Sequence, residues 1–298
     1  MLSPELSNRD SLARARERKA RNGEPGTANA KRLAAGEGWR VVDIVCTSGA
    51  NDRPFEERYR SEAISIVLAG TFACRSDYGS CLMSPGALLL GNAGHTYECS
   101  HQHGEGDRCL SFQFDPEVLE QVARGAGASG AAFGHDRLPP LRALARLTAR
   151  ATLAMDGRDS FEEIALEMAG AVIQVASDTR RGSPSAESRD RARIARVLRQ
   201  MESSFAQPHT LASLARIAGL SRYHFLRTFK CVTGITPHQW LLRARLRDAA
   251  QRLARRADAV TEIALDTGFE DLSNFIRSFR AEFGVSPRRY RAAARLAR

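Results

Sequence analysis

Apolar and polar residues alternate over short segments in the first half of the chain and recur with helical spacing in the second half. Between Trp39 and Asp115 the apolar segments are separated by turns rich in Gly and Pro, a pattern typical of strands. The predicted strands are Arg40–Cys46, Ala63–Leu68, Gly70–Cys74, Ala87–Leu90, Tyr97–His101 and Arg108–Phe114. Many short strands with turns this close predict an antiparallel sandwich or a small barrel.

Beyond these strands the apolar residues follow a helical period. Residues Pro139–Met155 predict one helix, and a second is expected from Ser160, where Glu163 completes a capping-box pattern. These two helices either pack on the sheets or form a dimer interface, and the sequence leaves both alternatives open. The polar segment 179–190 predicts a linker, and the basic residues 1–38, which have little apolar periodicity, predict a flexible arm.

The last third of the chain contains an internal repeat. Residues Leu214–Pro237 (LARIAGLSRYHFLRTFKCVTGITP) match Ile263–Pro287 (IALDTGFEDLSNFIRSFRAEFGVSP), with one extra residue in the second central turn. Each copy predicts a short helix, a turn that contains glycine and a longer helix that ends at glycine. The segment Pro237–Arg256 between them predicts one long helix. Two helix-turn-helix units on such a helix suit DNA, because their second helices can enter major-groove segments about 34 Å apart.

Helical spacing assigns the residues of the repeat to opposite faces. Those expected on the core side are Phe225, Phe229 and Val232 in the first copy, and Leu272, Phe275, Phe279 and Phe283 in the second. Those expected to face outward are Arg222, Tyr223, Leu226, Arg227 and Lys230, and then Ser273, Asn274, Arg277 and Ala281. Arg227 and Arg277 fit guanine, and Asn274 fits adenine. The cations expected at phosphates are Lys230, Arg243, Arg245, Arg252, Arg255, Arg288, Arg289 and Arg291.

The charge distribution favours a polyanion as the partner of the repeat. The formal net charge is +10, and residues 191–298 hold 21 Lys and Arg against 8 Asp and Glu, whereas the remainder is slightly acidic. The alternative is a solvated, arginine-rich surface.

A length of 298 residues suggests two domains. The chain has no run of apolar residues long enough for a membrane span and no export signal, so we expect a cytoplasmic protein.

Residues Leu211–Arg291 resemble the DNA-binding domain of the AraC/XylS family, through LASLARIAGLSRYHFLRTFKCVTGITPHQWL and EIALDTGFEDLSNFIRSFRAEFGVSPRRYR. The resemblance implies a bacterial transcription regulator of the α+β class. Residues 39–178 would form a cupin-like antiparallel β-barrel with a two-helix layer, and residues 191–298 an all-α domain with two helix-turn-helix motifs. The base-reading positions that it implies are Arg222, Tyr223, Leu226, Arg227, Leu272, Ser273, Asn274 and Arg277.

The resemblance also implies a set of partners. They are double-stranded DNA, a small-molecule effector bound by the barrel, a second copy of the chain, and RNA polymerase if the protein is an activator. Leu226 and Leu272 favour apolar contact or readout of DNA shape over hydrogen bonds to bases.

A group of cysteines and histidines in the first half forms a second candidate site. On a strand, Cys99, His101 and His103 share one face, and the following turn decides whether Cys109 joins them. Such ligands suit zinc or another transition metal, although their spacing matches no zinc motif and not the cupin metal pattern. The alternatives are a redox-sensing thiol, or core thiols beside solvent-facing histidines.

Three functions are compatible with these features. The first is a ligand- or stress-responsive transcription regulator. The second is a metal-binding cupin-like enzyme, or a metal or redox sensor, fused to a DNA-binding domain. The third is a DNA-binding protein whose barrel only pairs subunits. The sequence has no Ser/His/Asp arrangement, phosphate loop or paired carboxylates, so we do not expect an enzyme.

Overall fold

The computed structural model describes residues 8–101, 105–156, 160–178 and 187–296. The strands are β1 (Ala28–Gly36), β2 (Trp39–Gly49), β3 (Phe55–Arg58), β4 (Glu62–Gly70), β5 (Phe72–Ser76), β6 (Gly79–Met83), β7 (Leu88–Gly91), β8 (Thr96–Ser100), β9 (Glu105–Phe114) and β10 (Arg137–Leu138). The helices are α1 (Asn8–Asn22), α2 (Pro116–Gly125), α3 (Arg142–Ala154), α4 (Phe161–Asp178), α5 (Ser188–Ser203), α6 (Leu211–Ala218), α7 (Arg222–Thr233), α8 (Pro237–Arg255), α9 (Val260–Asp266), α10 (Leu272–Phe283) and α11 (Pro287–Leu296). The predicted α+β class is confirmed.

The strands form two antiparallel sheets that face each other. The first has the order β1-β2-β9-β4-β7-β10 and the second the order β3-β8-β5-β6. Val67 and Cys109 of the first sheet share one hydrophobic core with Phe72 and Cys74 of the second. Each predicted strand corresponds to an observed one, whereas β1, β3, β6 and β10 were not predicted.

Strand β9 separates two environments because successive side chains point to opposite faces of a sheet. Leu110, Phe112 and Phe114 point outward and pack against α2, α3 and α4. Cys109 and Ser111 point toward the second sheet and line a cavity between the two sheets. The helical layer therefore packs on the first sheet, and it includes α2, which the sequence did not predict.

The prediction of a flexible arm over residues 1–38 is wrong for its described part. Residues of α1 pack on the sheet, where Leu12 is buried, and β1 pairs with β2 across a turn in which Gly38 has a φ of +69°. The pattern failed because α1 buries few apolar side chains. In addition, β1 is an exposed edge strand of Ala, Lys and Arg, with none of the alternation that marks a half-buried strand.

The C-terminal helices enclose two hydrophobic cores that share α8. Its first half contributes Trp240 and Leu241 to the core of α5, α6 and α7, and its second half contributes Leu246 and Leu253 to the core of α9 and α10. The predicted linker 179–190 lies largely outside the described residues. Its last three residues belong to α5, which begins at Ser188.

The helical region rests directly on the sandwich. Leu82 of β6 is buried in the core of α5, α6 and α7, and the Trp240 indole N–H donates to Ser84 Oγ at 3.4 Å. Further along, Arg255 of α8 pairs with Asp156 at 2.7 Å. Both ends of α8 therefore contact the N-terminal region.

The carboxylate of Asp52 fixes the N-terminal segment to the sheet. Its Oδ2 accepts hydrogen bonds from Lys19 Nζ at 2.6 Å and from the backbone N–H of Gly49 at 2.7 Å, and its Oδ1 accepts one from the backbone N–H of Gly26 at 2.8 Å. The bond from Lys19, followed by those from Gly26 and Gly49, lowers the pKa of Asp52 from 3.8 to about 2. A carboxyl group with a lowered pKa stabilises the folded state only while it is ionised.

Asp52→Asn is therefore expected to reduce the free energy of unfolding by about 1–2 kcal/mol at pH 7, because it removes charge-assisted hydrogen bonds. The difference from the wild type should persist down to about pH 4 and then shrink as the pH falls toward the folded pKa of about 2. Urea denaturation at several pH values measures this difference. An equal loss at pH 7 and pH 2.5 would show that the charge is not the stabilising feature.

Candidate nucleic-acid interface

Local capping residues define each helix of the repeat. Thr210 and Ser213 form a capping box at the start of α6, and Ser221 Oγ accepts the N–H of His224 at the start of α7. In the second copy, Asp271 accepts the N–H groups of Ser273 and Asn274 at 2.7 and 3.1 Å. These caps fix where α7 and α10 begin, and hence which residues lie on their first turns.

The turns and helix ends use glycines in the left-handed region, as the repeat predicts. Gly219 and Gly268 lie in the two central turns with φ of +65° and +91°, and Gly234 and Gly284 end the two longer helices with φ of +81° and +77°. A residue with a Cβ is strained in this region. The extra residue of the second copy lies between Gly268 and the cap Asp271, as expected.

Aromatic packing orients α7 and α10. The rings of Phe225 and Phe229 lie 5.6 Å apart and are fully buried, as are those of Phe275 and Phe279 at the same separation. The core assignments of Phe225, Phe229, Val232, Phe275, Phe279 and Phe283 are confirmed. Leu272 was also expected on the core side, but it is 36% exposed, because it occupies the first turn of α10, ahead of the buried Phe275.

Over residues 222–230 of α7 and 272–280 of α10, the pattern of exposure is the same, position by position. The residues expected to contact bases, Arg222, Tyr223, Leu226, Arg227, Leu272, Ser273, Asn274 and Arg277, are all exposed, and Tyr223 is the most open of the apolar ones, at 75%. Arg277 Nη2 donates to Asn274 Oδ1 at 3.3 Å, which holds these two side chains side by side.

Two residues of the outward face of α10 were missed. Ile276 and Arg280 are exposed and lie 50 residues after Leu226 and Lys230, which occupy the same places on α7. The repeat itself contains this signal. Applying its offset to every outward position of the first copy predicts both residues.

The cations expected at phosphates fall into two groups. Lys230, Arg288 and Arg289 are exposed. The others bond within the protein: Arg243 to the Pro140 carbonyl and Glu282, Arg245 to the carbonyls of Phe205 and Gln207, Arg252 to Asp248 and Asp266, Arg255 to Asp156, and Arg291 to the Asp258 carbonyl. Because these guanidinium groups bond to carbonyl or carboxylate oxygens of the protein, a structural role competes with the phosphate role expected of them.

Arg245 connects the two copies of the repeat. Its guanidinium donates to the carbonyls of Phe205 and Gln207 at 2.8 and 3.0 Å, so it holds the loop between α5 and α6. Ala206 in that loop lies against Gly268, where a Cβ would come within 2.4 Å of the Ala206 carbonyl oxygen. The turn of the second copy is thus packed against the loop that precedes the first.

The predicted metal ligands are not brought together as a set. Cys99 and Cys109 are both buried between the sheets, but Cys99 lies on β8 of the second sheet and Cys109 on β9 of the first. His103 lies outside the described residues. His101 is buried rather than solvent-facing, and its closest ligand-type neighbours are Cys46 and Asp107.

His101 and Asp107 form a buried pair, with Nε2 of the imidazole 2.6 Å from Oδ1 of the carboxylate. Burial alone lowers the pKa of His101. The hydrogen bond to Asp107, the hydrogen bond to Cys46 and the charge of the Asp107 carboxylate outweigh burial and raise the pKa to about 9. In the same region, burial and neighbouring acidic groups raise the pKa of the Cys109 thiol.

Comparison with known proteins identifies the helical region. A family model described as a helix-turn-helix domain matches residues 214–293. The chain is 41% identical over 81 residues to the "Probable transcriptional regulator LumQ" of Photobacterium leiognathi, covering 27% of this chain and 33% of that protein. It is 28% identical over 203 residues to the HTH-type transcriptional regulator YbfI of Bacillus subtilis, covering 65% and 70%.

Further similarities extend over different shares of the chain. The HTH-type transcriptional activator RhaS of Escherichia fergusonii is 38% identical over 100 residues, 34% of this chain and 36% of RhaS. Among solved structures, the DNA-binding domain of AdpA in complex with a target DNA is 33% identical, with a TM-score of 0.34, over 35% of this chain and 95% of that one. ToxT from Vibrio cholerae is 11% identical, with a TM-score of 0.36, over 87% and 99%.

The C-terminal helices are a DNA-binding domain built from two helix-turn-helix units. More particularly, this is a helix-turn-helix domain of the AraC type, and the resemblance seen in the repeat is confirmed. The similarity spans about a third of the length of LumQ and RhaS. Within the described residues no helix is both long enough and apolar enough to cross a membrane.

The two turn glycines provide a matched pair of substitutions. Gly219→Ala meets no atom within 4 Å and is expected to cost only the strain of a positive φ, about 1–2 kcal/mol of unfolding free energy. Gly268→Ala adds the clash with Ala206 and should cost about 1–3 kcal/mol more. Denaturant unfolding of both variants measures the difference. Equal losses would mean that the turn of the second copy does not pack on the loop before α6.

Proposed function

We propose that the protein is a sequence-specific DNA-binding transcription regulator that reads two successive major-groove segments through α7 and α10. The observation that carries this proposal is the equal exposure of equivalent positions on the two helices, on faces that no other part of the described chain covers. A helix reads base edges only with side chains that are free to enter the groove.

The chemistry of these faces suits base edges. Arg227 and Arg277 occupy equivalent places and can each donate two hydrogen bonds to guanine O6 and N7, while Asn274 can pair with N6 and N7 of adenine. Tyr223 and Leu226 offer apolar contact to thymine methyl groups. Lys230, Arg280, Arg288 and Arg289 are exposed cations suited to the backbone phosphates.

The length of α8 supports reading of two groove segments. Its 19 residues span about 28 Å, not far from the about 34 Å between successive groove segments on one face of DNA. Because each half of α8 is buried in a different core, the two reading helices are held in one fixed relation.

The cavity between the sheets is the proposed site of a small-molecule effector. Its volume is about 670 Å³, within the range of ligand pockets. Apolar side chains such as Phe55 and Leu89 line it, together with polar groups such as Arg40, Tyr59 and Gln113. A mixture of this kind binds an organic molecule and orients it.

As a regulator, the protein would act on chromosomal DNA in the cytoplasm. A second copy of the chain, and RNA polymerase if it activates transcription, would be its protein partners. An enzymatic barrel is the competing function, and purified protein that turns over a substrate would favour it.

Arg227→Ala and Arg277→Ala should each weaken binding to a selected site by about 1–3 kcal/mol and relax discrimination at one base position, because each removes a bidentate base contact. Fluorescence anisotropy with a duplex selected from a random-sequence pool by the wild-type protein, and with an unselected duplex, measures both effects. Arg124→Ala, an exposed change on α2, is the control and should bind like the wild type. Equal weakening on both duplexes would exclude base reading by these arginines.

Arg289→Ala and Arg245→Ala separate a phosphate contact from a structural one. Arg289→Ala should weaken binding to every duplex, reduce the salt dependence by about one unit, and leave stability unchanged. Arg245→Ala should instead lower the free energy of unfolding by about 1–3 kcal/mol, since it leaves the partly buried carbonyl of Phe205 and the exposed carbonyl of Gln207 without their donor. Salt titrations of DNA binding and urea denaturation distinguish the two, and a reversed outcome would refute the assignment.

A further inference from the structure

Two residues that line the cavity between the sheets, Cys46 and Asp107, form a buried group of metal-ligand type together with His101. The Cys46 sulfur, a ring nitrogen of His101 and a carboxylate oxygen of Asp107 all lie within 4.8 Å of one another. These residues are 3%, 4% and 5% exposed, so the group lies in the interior of the sandwich. The AraC-type domain has no part in it.

The fold brings these side chains together from both sheets. Cys46 on β2 is directly opposite Asp107 on β9 in the strand register. His101 follows the last residue of β8 in the other sheet, and its ring lies between those of Phe55 and Phe72, with centroids 6.4 and 5.9 Å away. The imidazole is thus held in place by packing before any ligand is present.

The group leaves a polar atom without a partner. His101 Nε2 lies 2.6 Å from Asp107 Oδ1, but Nδ1 of the same ring is buried and has no hydrogen-bond partner among the described residues. Buried polar atoms are nearly always satisfied, and one that is not calls for an explanation such as a bound ion.

The carboxylate of Asp107 is oriented by two neighbours, His101 at Oδ1 and Cys109 at Oδ2. Its Oδ2 accepts the Cys109 thiol at 3.3 Å. The neighbouring Arg108 directs its guanidinium to Asp43, at 2.9 Å for both bonds, because alternate residues of β9 point to opposite faces. A buried carboxylate beside a thiol and an imidazole has the composition of a metal-binding site.

We infer that Cys46, His101 and Asp107 bind a divalent transition metal ion, and that zinc fits this ligand set best. Sulfur, nitrogen and oxygen donors suit zinc, whereas calcium and magnesium require oxygen ligands. Donor atoms around tetrahedral zinc lie about 3.3–3.8 Å apart, so small side-chain rotations bring this group to ligating distance.

Three protein ligands would leave one coordination position of a tetrahedral ion for a further ligand, and the cavity that Cys46, Asp107 and Cys109 line would give such a ligand access. An open fourth position is characteristic of zinc sites that bind a further small ligand. The proposed metal site does not depend on the proposed binding of DNA, and a separate experiment tests it.

A second group provides an internal control. Cys74, Cys81 and Asp136 also lie within 4.8 Å of one another, but two of the three are only partly buried and none is a histidine. Loss of Co²⁺ binding when Cys81 is substituted would show that the ion binds at this second group. Loss when Cys231 of the DNA-binding domain is substituted would show non-specific binding to thiols.

The test uses the full-length protein, stripped with chelator, kept reduced without added thiols, and titrated with Co²⁺. We expect about one equivalent to bind, with thiolate-to-cobalt charge-transfer absorption and the visible bands of tetrahedral Co²⁺, and Zn²⁺ should displace it. Cys46→Ser and His101→Gln should each weaken Co²⁺ binding by at least about tenfold. Cys81→Ser and Cys231→Ser should bind like the wild type.

X-ray absorption of the zinc-loaded wild type is independent of any variant, and we expect a mixed shell of sulfur and lighter ligands. Circular dichroism and binding to an unselected DNA duplex establish that each variant is folded. The proposal is overturned if the wild type binds no Co²⁺, if folded Cys46→Ser retains the charge-transfer band, or if Cys81→Ser abolishes it.

Discussion

Burial of α8 in two hydrophobic cores is the constraint on which the arrangement of the DNA-binding domain depends. Trp240 anchors its first half in one core and Leu253 its second half in the other. A relative rotation of the two helix-turn-helix units would have to expose one of these cores, and each buried side chain of this size contributes about 1.5–3 kcal/mol. The contact between Ala206 and Gly268 adds a second, independent connection between the units.

The same domain packs against β6, the last strand in the order of the second sheet. Along β6, Met83 points into the core between the sheets, and Leu82 points into the core of the first helix-turn-helix unit. Alternation along a strand means that a displacement of the inner face also displaces the outer one. The contacts of α5 and α7 with β6 therefore connect the first helix-turn-helix unit directly to the sandwich.

The sequence predicted the helical domain well, because every feature of that domain leaves a local signal. Glycines mark the left-handed positions, phenylalanines at helical spacing mark the core, and the repeat doubles each observation. Pairing between strands has no such signal: β8 and β9 are adjacent in the chain, yet they lie in different sheets. The position of Cys46 beside His101 and Asp107 follows from that pairing, and the sequence therefore could not group them.

Residue type alone also could not distinguish the structural arginines from the exposed ones. Arg245 and Arg289 look alike in a basic helical sequence, and only the carbonyls of Phe205 and Gln207 distinguish a structural role from an exposed one. The attachment of α1 was missed for a different reason. Its attachment relies on bonds from Lys19 to Asp52 and to the Thr47 carbonyl, which no hydrophobic pattern can reveal.

The two reading helices are equivalent in position but not in chemistry, and this limits the kind of DNA site that one chain can recognise. Basic residues recur at two places, Arg227 with Arg277 and Lys230 with Arg280, whereas Tyr223 is replaced by Ser273. The recurring cations can make the same contacts in both groove segments. In the proposed mode of DNA binding, the positions that differ would present an aromatic ring to one segment and a small hydroxyl to the other, which favours different bases in the two segments. A single chain would then recognise a site without internal symmetry, and its orientation on the DNA would be determined by sequence rather than by pairing of two identical subunits.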